Sequence, residues 1–460
     1  MQNLKIRDKL FYGLGSVSDV IMANIVFQLA MPIYNIELKV SATLIGLAIS
    51  LPRLWEAITD PLIGNLSDNT RTRWGRRRPF LVVGSILGGI LCALMWMPPT
   101  LLGGNGLFVY FLVTSILFFT AYAVFSMPYN ALGFEMARDY DSRTSLMSYK
   151  TFVMSIGSTL FLPWLYKMCF IPAFGGTVIQ GARFVGCIAG VLIILFGILP
   201  AVLCKEPAST QKQEKIGLLV AMKYTFMNKS FLIVSGIVFC IVIGVFLAFP
   251  LMLYINLSIV FAGQGMQQAK EAAAQLGGVY NTVYGILGIV AVPVINLLGK
   301  KYGKKRTLIG GLLMVASAFA LSPVLFSQKY PYLQVIVGIL ASPGLSCVWV
   351  LTSSMLADVC DLDELKTGLR REGMFGAAFS WLVKLGLAAV MALSGYIIAR
   401  SGFDPELTQQ APATVHFLRF FFAGVPLVFL GIAIVLTFMF PVTRERLTEV
   451  QAELEARRGR

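Results

Sequence analysis

The stretch RWGRRRP at Arg73–Pro79 recurs as KYGKKRT at Lys301–Thr307, about half a chain further along. Each copy lies between two long apolar segments, so the copies occupy the same point in two successive halves of the sequence. Repeats in the same orientation build membrane proteins from two halves related by an axis along the membrane normal. The repeat therefore predicts two similar halves with equal numbers of membrane-spanning helices.

The composition is typical of a polytopic membrane protein. Of 460 residues, 57% are hydrophobic and 13% are charged, whereas soluble domains are about 45–50% apolar and about 25% charged. The formal net charge of +15 would suggest nucleic-acid binding in a soluble chain. Here the basic residues occupy short loops between apolar segments, where the positive-inside rule explains them. The expected partner is a lipid bilayer, and no nucleic acid is expected.

Twelve apolar segments are about long enough to cross a bilayer, which takes about 20 residues. Dense basic clusters follow the second, sixth and eighth segments, whereas the odd-numbered links carry few basic residues. This alternation places both termini in the cytoplasm of a multi-pass protein of the cell (inner) membrane. The spans lie at about 10–36, 41–67, 80–99, 106–134, 146–169, 183–203, 231–257, 276–299, 307–327, 331–357, 373–399 and 415–440.

The predicted fold class is an all-α polytopic membrane protein with twelve transmembrane helices in two six-helix pseudo-symmetric halves. The expected divisions are an N-terminal bundle at 1–204, a cytoplasmic middle loop at 205–229, a C-terminal bundle at 230–441 and a cytoplasmic tail at 442–460. The second part of the middle loop is either an amphipathic helix on the membrane surface or a disordered linker. The seven cysteines contain no C-x-x-C pair, so neither a metal site nor a disulfide framework is predicted.

Three ionisable residues interrupt the second apolar segment, LIGLAISLPRLWEAITDPLIGNLS at Leu44–Ser67. Arg53, Glu56 and Asp60 are separated by three and four residues, so on a helix they fall within an arc of about 60°. A charge at the bilayer centre costs at least about 2.5 kcal/mol on insertion scales, and it normally marks an ion or substrate path. The pattern indicates a transport site on one face of this helix.

The stretch WEAITDPLIGNLSDNTRTRWGRRRPF at Trp55–Phe80 resembles the glycoside–pentoside–hexuronide:cation symporters, a branch of the major facilitator superfamily. Three further stretches agree: FYGLGSVSD at Phe11–Asp19, SMPYNALGFE at Ser126–Glu135, and VWVLTSSMLADVCDLDELKTGLRREG at Val348–Gly373. The motifs follow the family's order and span both halves. The resemblance implies the major facilitator fold and symport of a sugar or glycoside with a monovalent cation, H⁺ or Na⁺. No other cofactor and no metal beyond a coupling sodium are implied.

The resemblance assigns the coupling-cation site to Glu56 and Asp60. Family members carry two acidic residues here in a W-D-A-x-x-D-P motif. Carboxylates suit the role because they are hard oxygen ligands and because a proton can neutralise either one. The alternative is that Arg53, which we assign to coupling, only neutralises Glu56 at a helix contact. Glutamate in place of aspartate, and Ala123 in place of a sodium-ligating threonine, favour proton coupling.

The resemblance assigns sugar recognition to Asp19, since an ionised carboxylate accepts two strong hydrogen bonds from vicinal hydroxyls. Lys150 aligns with a family arginine near the sugar and is expected to donate to hydroxyls. Ser126 stands in place of a family carboxylate, and Asn130 in place of a tryptophan. We include both in the substrate site, although these departures put galactoside specificity in doubt.

Other interpretations of the substrate residues are open. Asp19 could be a packing residue paired with a neighbouring base, and Lys150 could extend to the cytoplasmic interface. Trp349 and Tyr122 are candidates for stacking on the apolar face of a sugar, or for plain packing.

Lys384 lies in the middle of the eleventh predicted span. In the family, a lysine at this point faces the acidic residues of the second helix. Such a lysine can neutralise the site when no cation is bound, which links cation occupancy to sugar affinity. The alternative is a structural ion pair.

Charged residues at the predicted cytoplasmic ends of the spans are expected to form a gate. Arginines from one half pair there with carboxylates when that side is closed, and they separate when it opens. The gate residues that we predict are Asp68, Arg76, Arg77, Glu135, Arg138 and Asp358. The alternative is that the basic residues only orient the protein in the membrane.

Three other function classes are alternatives to a sugar symporter. A transporter of lysophospholipid or another amphiphile uses the same fold, but a lipid site should lack convergent partners for hydroxyl groups. An embedded enzyme is disfavoured because the chain has one histidine, His416, and neither an H-E-x-x-H nor a G-x-S-x-G motif. A channel would not accumulate substrate against a gradient.

Overall fold

A computed structural model describes residues 5–99, 101–136, 140–161, 164–170, 175–204, 226–367, 372–442, 449–450 and 453. Within these ranges every regular element is a helix, which confirms the predicted all-α class. The predicted middle loop falls largely on 205–225, outside the described residues.

The described part of the first half of the chain contains seven α-helices. Several long helices continue through a short π-helical turn, as α1 does through Met31–Glu37 and α5 through Gly157–Phe161. The helices are α1 (Ile6–Ala30), α2 (Ala42–Asn69), α3 (Arg78–Met95), α4 (Gly104–Met136), α5 (Tyr140–Ile156), the short α6 (Leu165–Met168) and α7 (Val178–Leu203).

Among the described residues of the second half there are seven more α-helices. A 3₁₀ turn at Pro331–Gln334 leads into the fourth of them, and a π-helical turn at Phe420–Gly424 joins the last two. The helices are α8 (Lys229–Ile255), α9 (Met266–Tyr302), α10 (Lys304–Leu325), α11 (Val335–Thr367), α12 (Glu372–Arg400), α13 (Pro412–Arg419) and α14 (Val425–Met439).

Ten helical segments of the described residues are long and apolar enough to cross a membrane. The long helices outside this set are α2 and α5. These two carry Arg53, Glu56, Asp60 and Lys150, and ionisable residues lower the hydropathy of a span. A membrane-spanning helical fold is therefore confirmed, while the count of twelve spans stays a prediction.

The sequence repeat has the same backbone form in both halves. Gly75 has a φ of 108° and Gly303 a φ of 84°, a region that glycine enters without the steric penalty of a side chain. At each of these points the glycine lies between two consecutive helices. Both copies of the repeat thus have a glycine with positive φ at the same place, while the relation between the two halves stays a prediction.

Basic side chains of the repeat hold the last helix of each half. Arg78 donates to the carbonyl oxygens of Val202, at 3.3 Å, and Cys204 at the end of α7. Lys305 donates to the carbonyl oxygens of Phe438, at 2.6 Å, and Phe440, at 3.4 Å, at the end of α14. The final carbonyls of a helix lack intrahelical donors, and a cation is favourable there. The basic loops therefore stabilise helix ends in addition to any orienting effect.

The chain divides into two compact units that differ from the predicted halves. Unit 1 contains the described parts of Met1–Gln211, Gly263–Thr282 and Met391–Thr408, and unit 2 contains the rest. Unit 1 thus takes two segments from the second half of the sequence. The predicted bundle boundaries at 204 and 230 lie next to the end of α7 at Leu203 and the start of α8 at Lys229, but they remain predictions as domain limits.

Ion pairs connect those two segments to the link between α1 and α2 within unit 1. Lys270 Nζ lies 2.7 Å from Glu37 Oε1, and their side chains are only 10% and 15% exposed. Lys39 donates to Glu406 in an exposed pair. This hydrogen bond raises the pKa of Lys39 above its ordinary value, so the lysine stays charged throughout the physiological pH range.

A close backbone contact between α2 and α12 accompanies these pairs. A Cβ added at Gly46 would lie 2.7 Å from the carbonyl oxygen of Met391 and 3.0 Å from Cα of Gly395. Small residues let membrane helices approach this closely. The start of α2 and the end of α12 are therefore in direct backbone contact inside unit 1.

Glu37→Gln should destabilise the protein by about 3 kcal/mol, because Lys270 is left as a buried charge without a counter-charge. Glu37→Gln with Lys270→Gln should recover much of that loss, since both charges are then removed. The measurement is the thermal unfolding midpoint of the purified protein in detergent, followed by tryptophan fluorescence. Lys39→Gln is the matched control, and its exposed pair should shift the midpoint little. Equal losses from the single and the double variants would contradict this account.

Candidate functional site

Helices α1, α4 and α5 bring three of the predicted substrate residues together in unit 1. Lys150 Nζ donates to Asn130 Oδ1 at 2.6 Å, and it lies 3.9 Å from Asp19 Oδ2. The side chains of Lys150 and Asp19 are 15% and 14% exposed. A carboxylate, an ammonium and an amide thus meet in one largely buried cluster, which we call the polar cluster.

An aromatic stack supports the polar cluster. Lys150 Nζ lies 5.0 Å from the ring centroid of Tyr129, and this ring stacks on Tyr12 at 4.7 Å and on Phe125 at 5.3 Å. Tyr129 Oη donates to the carbonyl of Tyr12 at 2.7 Å, and Tyr12 Oη donates back to that of Tyr129 at 3.3 Å. These reciprocal bonds fix α1 against α4. The sequence analysis missed Tyr129, although it lies between Ser126 and Asn130 in a quoted motif.

Tyr122, Ser126 and Asn130 follow one another at intervals of four, so they lie along one face of α4. Asn130 Nδ2 donates to the carbonyl oxygen of Ser126 at 2.8 Å, and the Ser126 residue is 2% exposed. The Tyr122 hydroxyl is close enough to Asp19 to interact with it. The structure therefore places all three α4 residues on the side of the polar cluster.

On α2, Arg53 and Glu56 form a buried ion pair. Arg53 Nη1 lies 3.2 Å from Glu56 Oε1 and 3.1 Å from Oε2. The Glu56 residue is 0% exposed and the Arg53 residue 7%. The structure thus shows the direct contact between these side chains that the sequence analysis gave as the alternative role of Arg53. It does not test whether Glu56 also binds a cation.

Arg53 also connects α2 to its two neighbours. Its Nη2 donates to the carbonyl oxygen of Ala23 on α1 at 2.5 Å. Its guanidinium carbon lies 4.7 Å from the ring centroid of Phe27 and 4.4 Å from that of Phe119 on α4. Cation–π contacts of this kind stabilise a desolvated arginine. We call these contacts, together with Glu56, the Arg53 clamp.

Asp60 lies one helical turn beyond Glu56 and is half-buried. Thr59, beside it, donates its hydroxyl proton to the carbonyl of Trp55 at 3.2 Å. No group of three or more His, Cys, Asp or Glu side chains suited to a metal ion occurs among the described residues.

Two predicted residues belong to unit 2. Trp349 packs edge-on against Phe246, with ring centroids 6.3 Å apart. Lys384 is half-buried near the middle of α12. Their predicted roles in stacking and in coupling stay predictions.

The predicted gate is only partly covered by the described residues. Asp358 accepts hydrogen bonds from Lys304 at 2.7 and 2.6 Å, a partner in its own half rather than in the other. Arg77 is buried and Arg76 is half-buried. The side chains of Asp68 and Glu135, and the whole of Arg138, lie outside the described residues. Pairing between the halves stays a prediction.

The apolar helices and the ionisable residues at their centres define a membrane transporter of the polytopic helical class. Residues 11–444 match the family described as MFS/sugar transport protein, and the chain belongs to this family. The membership confirms the resemblance found in the motifs, together with the major facilitator fold. The protein is a transporter and not an enzyme.

Proteins similar to this chain agree with that assignment. The inner membrane symporter YicJ of Escherichia coli (strain K12) is 27% identical over 98% of this chain and 95% of its own length. The isoprimeverose transporter of Lactiplantibacillus pentosus is 24% identical over 95% of this chain and 89% of its own length. The crystal structure of a D-xylose-proton symporter has a TM-score of 0.63 and 15% identity, covering 94% of this chain and 96% of the other. The last likeness concerns the fold alone.

Proposed function

We propose that this protein is a secondary active transporter that carries a sugar or glycoside together with a monovalent cation, H⁺ or Na⁺. Transport follows alternating access, in which the site opens to each side of the membrane in turn. The observation that carries this proposal is the polar cluster of Asp19, Lys150 and Asn130. Two similar proteins support the proposal, the isoprimeverose transporter and the symporter YicJ.

The polar cluster has the chemistry that a polyol requires. The Asp19 carboxylate only accepts hydrogen bonds, while the Lys150 ammonium only donates and has three N–H groups. Their separation of 3.9 Å exceeds a direct hydrogen bond, so a sugar hydroxyl can accept from Lys150 and donate to Asp19. Tyr122 adds an aromatic face on which the C–H side of a sugar ring can stack.

A lipid substrate fits this cluster less well. An acyl chain offers no partners for a carboxylate, an ammonium and an amide, and buried polar groups without partners are costly. In a lysophospholipid transporter, only the headgroup of the lipid could form hydrogen bonds with the polar cluster. A sugar or glycoside is therefore the substrate class that we propose.

We assign cation binding to helix α2, where Glu56 and Asp60 are the predicted ligands. A cation at Asp60 would remove a charge from the centre of the membrane, where charge is costly. Coupling requires that the cation raise the affinity for sugar, and linkage makes this effect reciprocal. We assign to Lys384 the neutralisation of the acidic site when no cation is bound.

The remaining assignments follow from the basic loops. We place the protein in the cell (inner) membrane with both termini in the cytoplasm, because the basic clusters lie on one set of links. The name of the inner membrane symporter YicJ supports this location. The cytoplasmic gate pairs Arg76, Arg77 and Arg138 with Asp68, Glu135 and Asp358 when that side is closed.

A direct test is uptake of a glycoside panel into vesicles with proton and sodium gradients imposed separately. The panel contains isoprimeverose, xylosides, galactosides and glucuronides. At least one glycoside should accumulate against its own gradient when a cation gradient is present. If every glycoside only equilibrates across the membrane, whichever cation gradient is imposed, the protein is a channel or transports a different class of substrate.

Asp19→Ala should weaken binding of the best panel glycoside at least tenfold, because two acceptors for vicinal hydroxyls are lost, at about 1.5–3 kcal/mol for a charge-assisted bond. Cation binding should change much less. The measurement is glycoside affinity by isothermal titration. Asp8→Ala, an acidic residue in the first turn of the same helix, is the matched control. Unchanged glycoside affinity in Asp19→Ala would remove it from the substrate site.

Asp60→Asn should abolish accumulation driven by a cation gradient, because an amide cannot take up a proton or replace a charged ligand. Exchange of labelled for unlabelled glycoside should be partly retained, since the polar cluster is intact. Both rates are measured in vesicles. Glu271→Gln, an exposed acid at the start of α9, is the control. Full accumulation by Asp60→Asn would show that coupling uses another residue.

A further inference from the structure

We propose that the α1–α2 link and the start of α2 form an extracytoplasmic gate with the start of α9 and the α12–α13 link. We call these contacts the outer gate, and the buried ion pair of Glu37 with Lys270 is its central contact. This ion pair breaks when the outer side opens and forms again when it closes. The inference rests on the proposed alternating access, and it assigns residues to a gate on the side opposite the basic loops.

The outer gate lies at the helix ends opposite the basic loops. Helix α2 begins at Ala42 and α9 begins at Met266, and each ends next to one copy of the repeat, at Arg73–Pro79 and Lys301–Thr307. Because we assign the basic loops to the cytoplasm, the starts of α2 and α9 face the outside. The contacts join the two halves of the sequence within unit 1, so this side can open only if they separate.

Further contacts make the outer gate a continuous surface inside unit 1. Two turns beyond the ion pair on α9, a Cβ added at Gly278 would lie 3.0 Å from Cε3 of Trp164 in the first half. The backbone N–H of Gly263 donates to the carbonyl oxygen of Thr408 at 2.9 Å. This hydrogen bond joins the segment before α9 to the α12–α13 link, so we expect the two second-half segments to move together.

On the first-half side, the α1–α2 link is fixed by bulky aromatic packing. The ring of Tyr34, three residues before Glu37, lies 4.3 Å from the ring of Phe111 and 6.2 Å from that of Trp96. Tyr34 Oη also donates to the carbonyl oxygen of Met95 at 2.5 Å. All three rings are fully buried. Glu37 is therefore held on a rigid part of the first half, and Lys270 is the partner that we expect to move away.

The contacts of the outer gate suit a surface that separates and closes again. The free energy that a buried ion pair gains by attraction is largely offset by desolvation, so hydrating Glu37 and Lys270 separately costs little. The ion pair of Lys39 with Glu406 is exposed and contributes little to closure. Where Gly46 meets α12 the contact is with backbone atoms, so the helices can part without repacking large side chains.

The first experiment follows a reporter cysteine, Ala273→Cys, which lies one turn beyond Lys270 on α9 at a position that is 3% exposed. In right-side-out vesicles, a membrane-impermeant maleimide should alkylate it slowly, because the closed gate covers it. Adding Glu37→Gln should speed alkylation about tenfold, since Lys270 without a counter-charge favours the open, hydrated state. Adding Lys39→Gln instead should change the rate little. Protein without the reporter gives the background from the native cysteines.

Gly46→Ala disfavours closure in a second way, because its Cβ would lie 2.7 Å from the carbonyl oxygen of Met391. It should also speed alkylation of the reporter. The matched control is Gly64→Ala in the same helix, where an added Cβ has nothing within 4 Å, and it should leave the rate unchanged. Equal rates in all variants, or a rate that rises equally from both sides of the membrane, would overturn the gate. This measurement needs no glycoside, so it does not depend on the symport function.

The second experiment locks the outer gate. In the variant Lys39→Cys, Glu406→Cys, a short methanethiosulfonate crosslinker should join the two positions, which an ion pair brings together. Uptake of the best panel glycoside should then stop, and dithiothreitol should restore it by cleaving the crosslink. The two single-cysteine variants, treated alike, control for modification at one position. Full uptake by crosslinked protein would overturn the gate and leave symport standing. Absence of uptake of every glycoside by untreated wild type would reject the symport function instead, and the alkylation rates would still test the gate.

Discussion

The structure of unit 1 depends on the cost of placing charge in the middle of a bilayer. Helix α2 meets this cost with the Arg53–Glu56 pair, in which an arginine is bound by a carboxylate, a carbonyl and two aromatic rings. The pair is neutral overall and joins three helices.

The polar cluster also offsets the cost of charge in the middle of the bilayer, but its two charged groups are further apart. Asp19 and Lys150 balance each other in charge but lie 3.9 Å apart, which is longer than a direct hydrogen bond. The stacked rings of Tyr12, Tyr129 and Phe125 hold the backbones of α1 and α4 rigid beneath it. A rigid support with a loose ion pair is what a site needs if it must bind and release a neutral polyol.

Much of the architecture could be predicted from the sequence because the bilayer constrains it strongly. Span length, basic loops and the glycine repeat each follow from a local rule, and the φ angles of Gly75 and Gly303 agree with the repeat. The division into units could not be predicted in this way. The contacts of Glu37 with Lys270, and of Gly46 with Gly395, join positions hundreds of residues apart, and no local pattern marks them.

The class of protein, the residues that are ionisable within the membrane and, through the motifs, the family all follow from the amino-acid sequence alone. They do so because hydropathy and residue spacing are properties of the chain. The partners of those residues are known only from the folded structure: Arg53 with Glu56, Lys150 with Asn130 and Asp19, and Asp358 with Lys304. Spacing along one helix shows which side chains share a face, but the neighbouring helix determines which charge is neutralised and which oxygen is used.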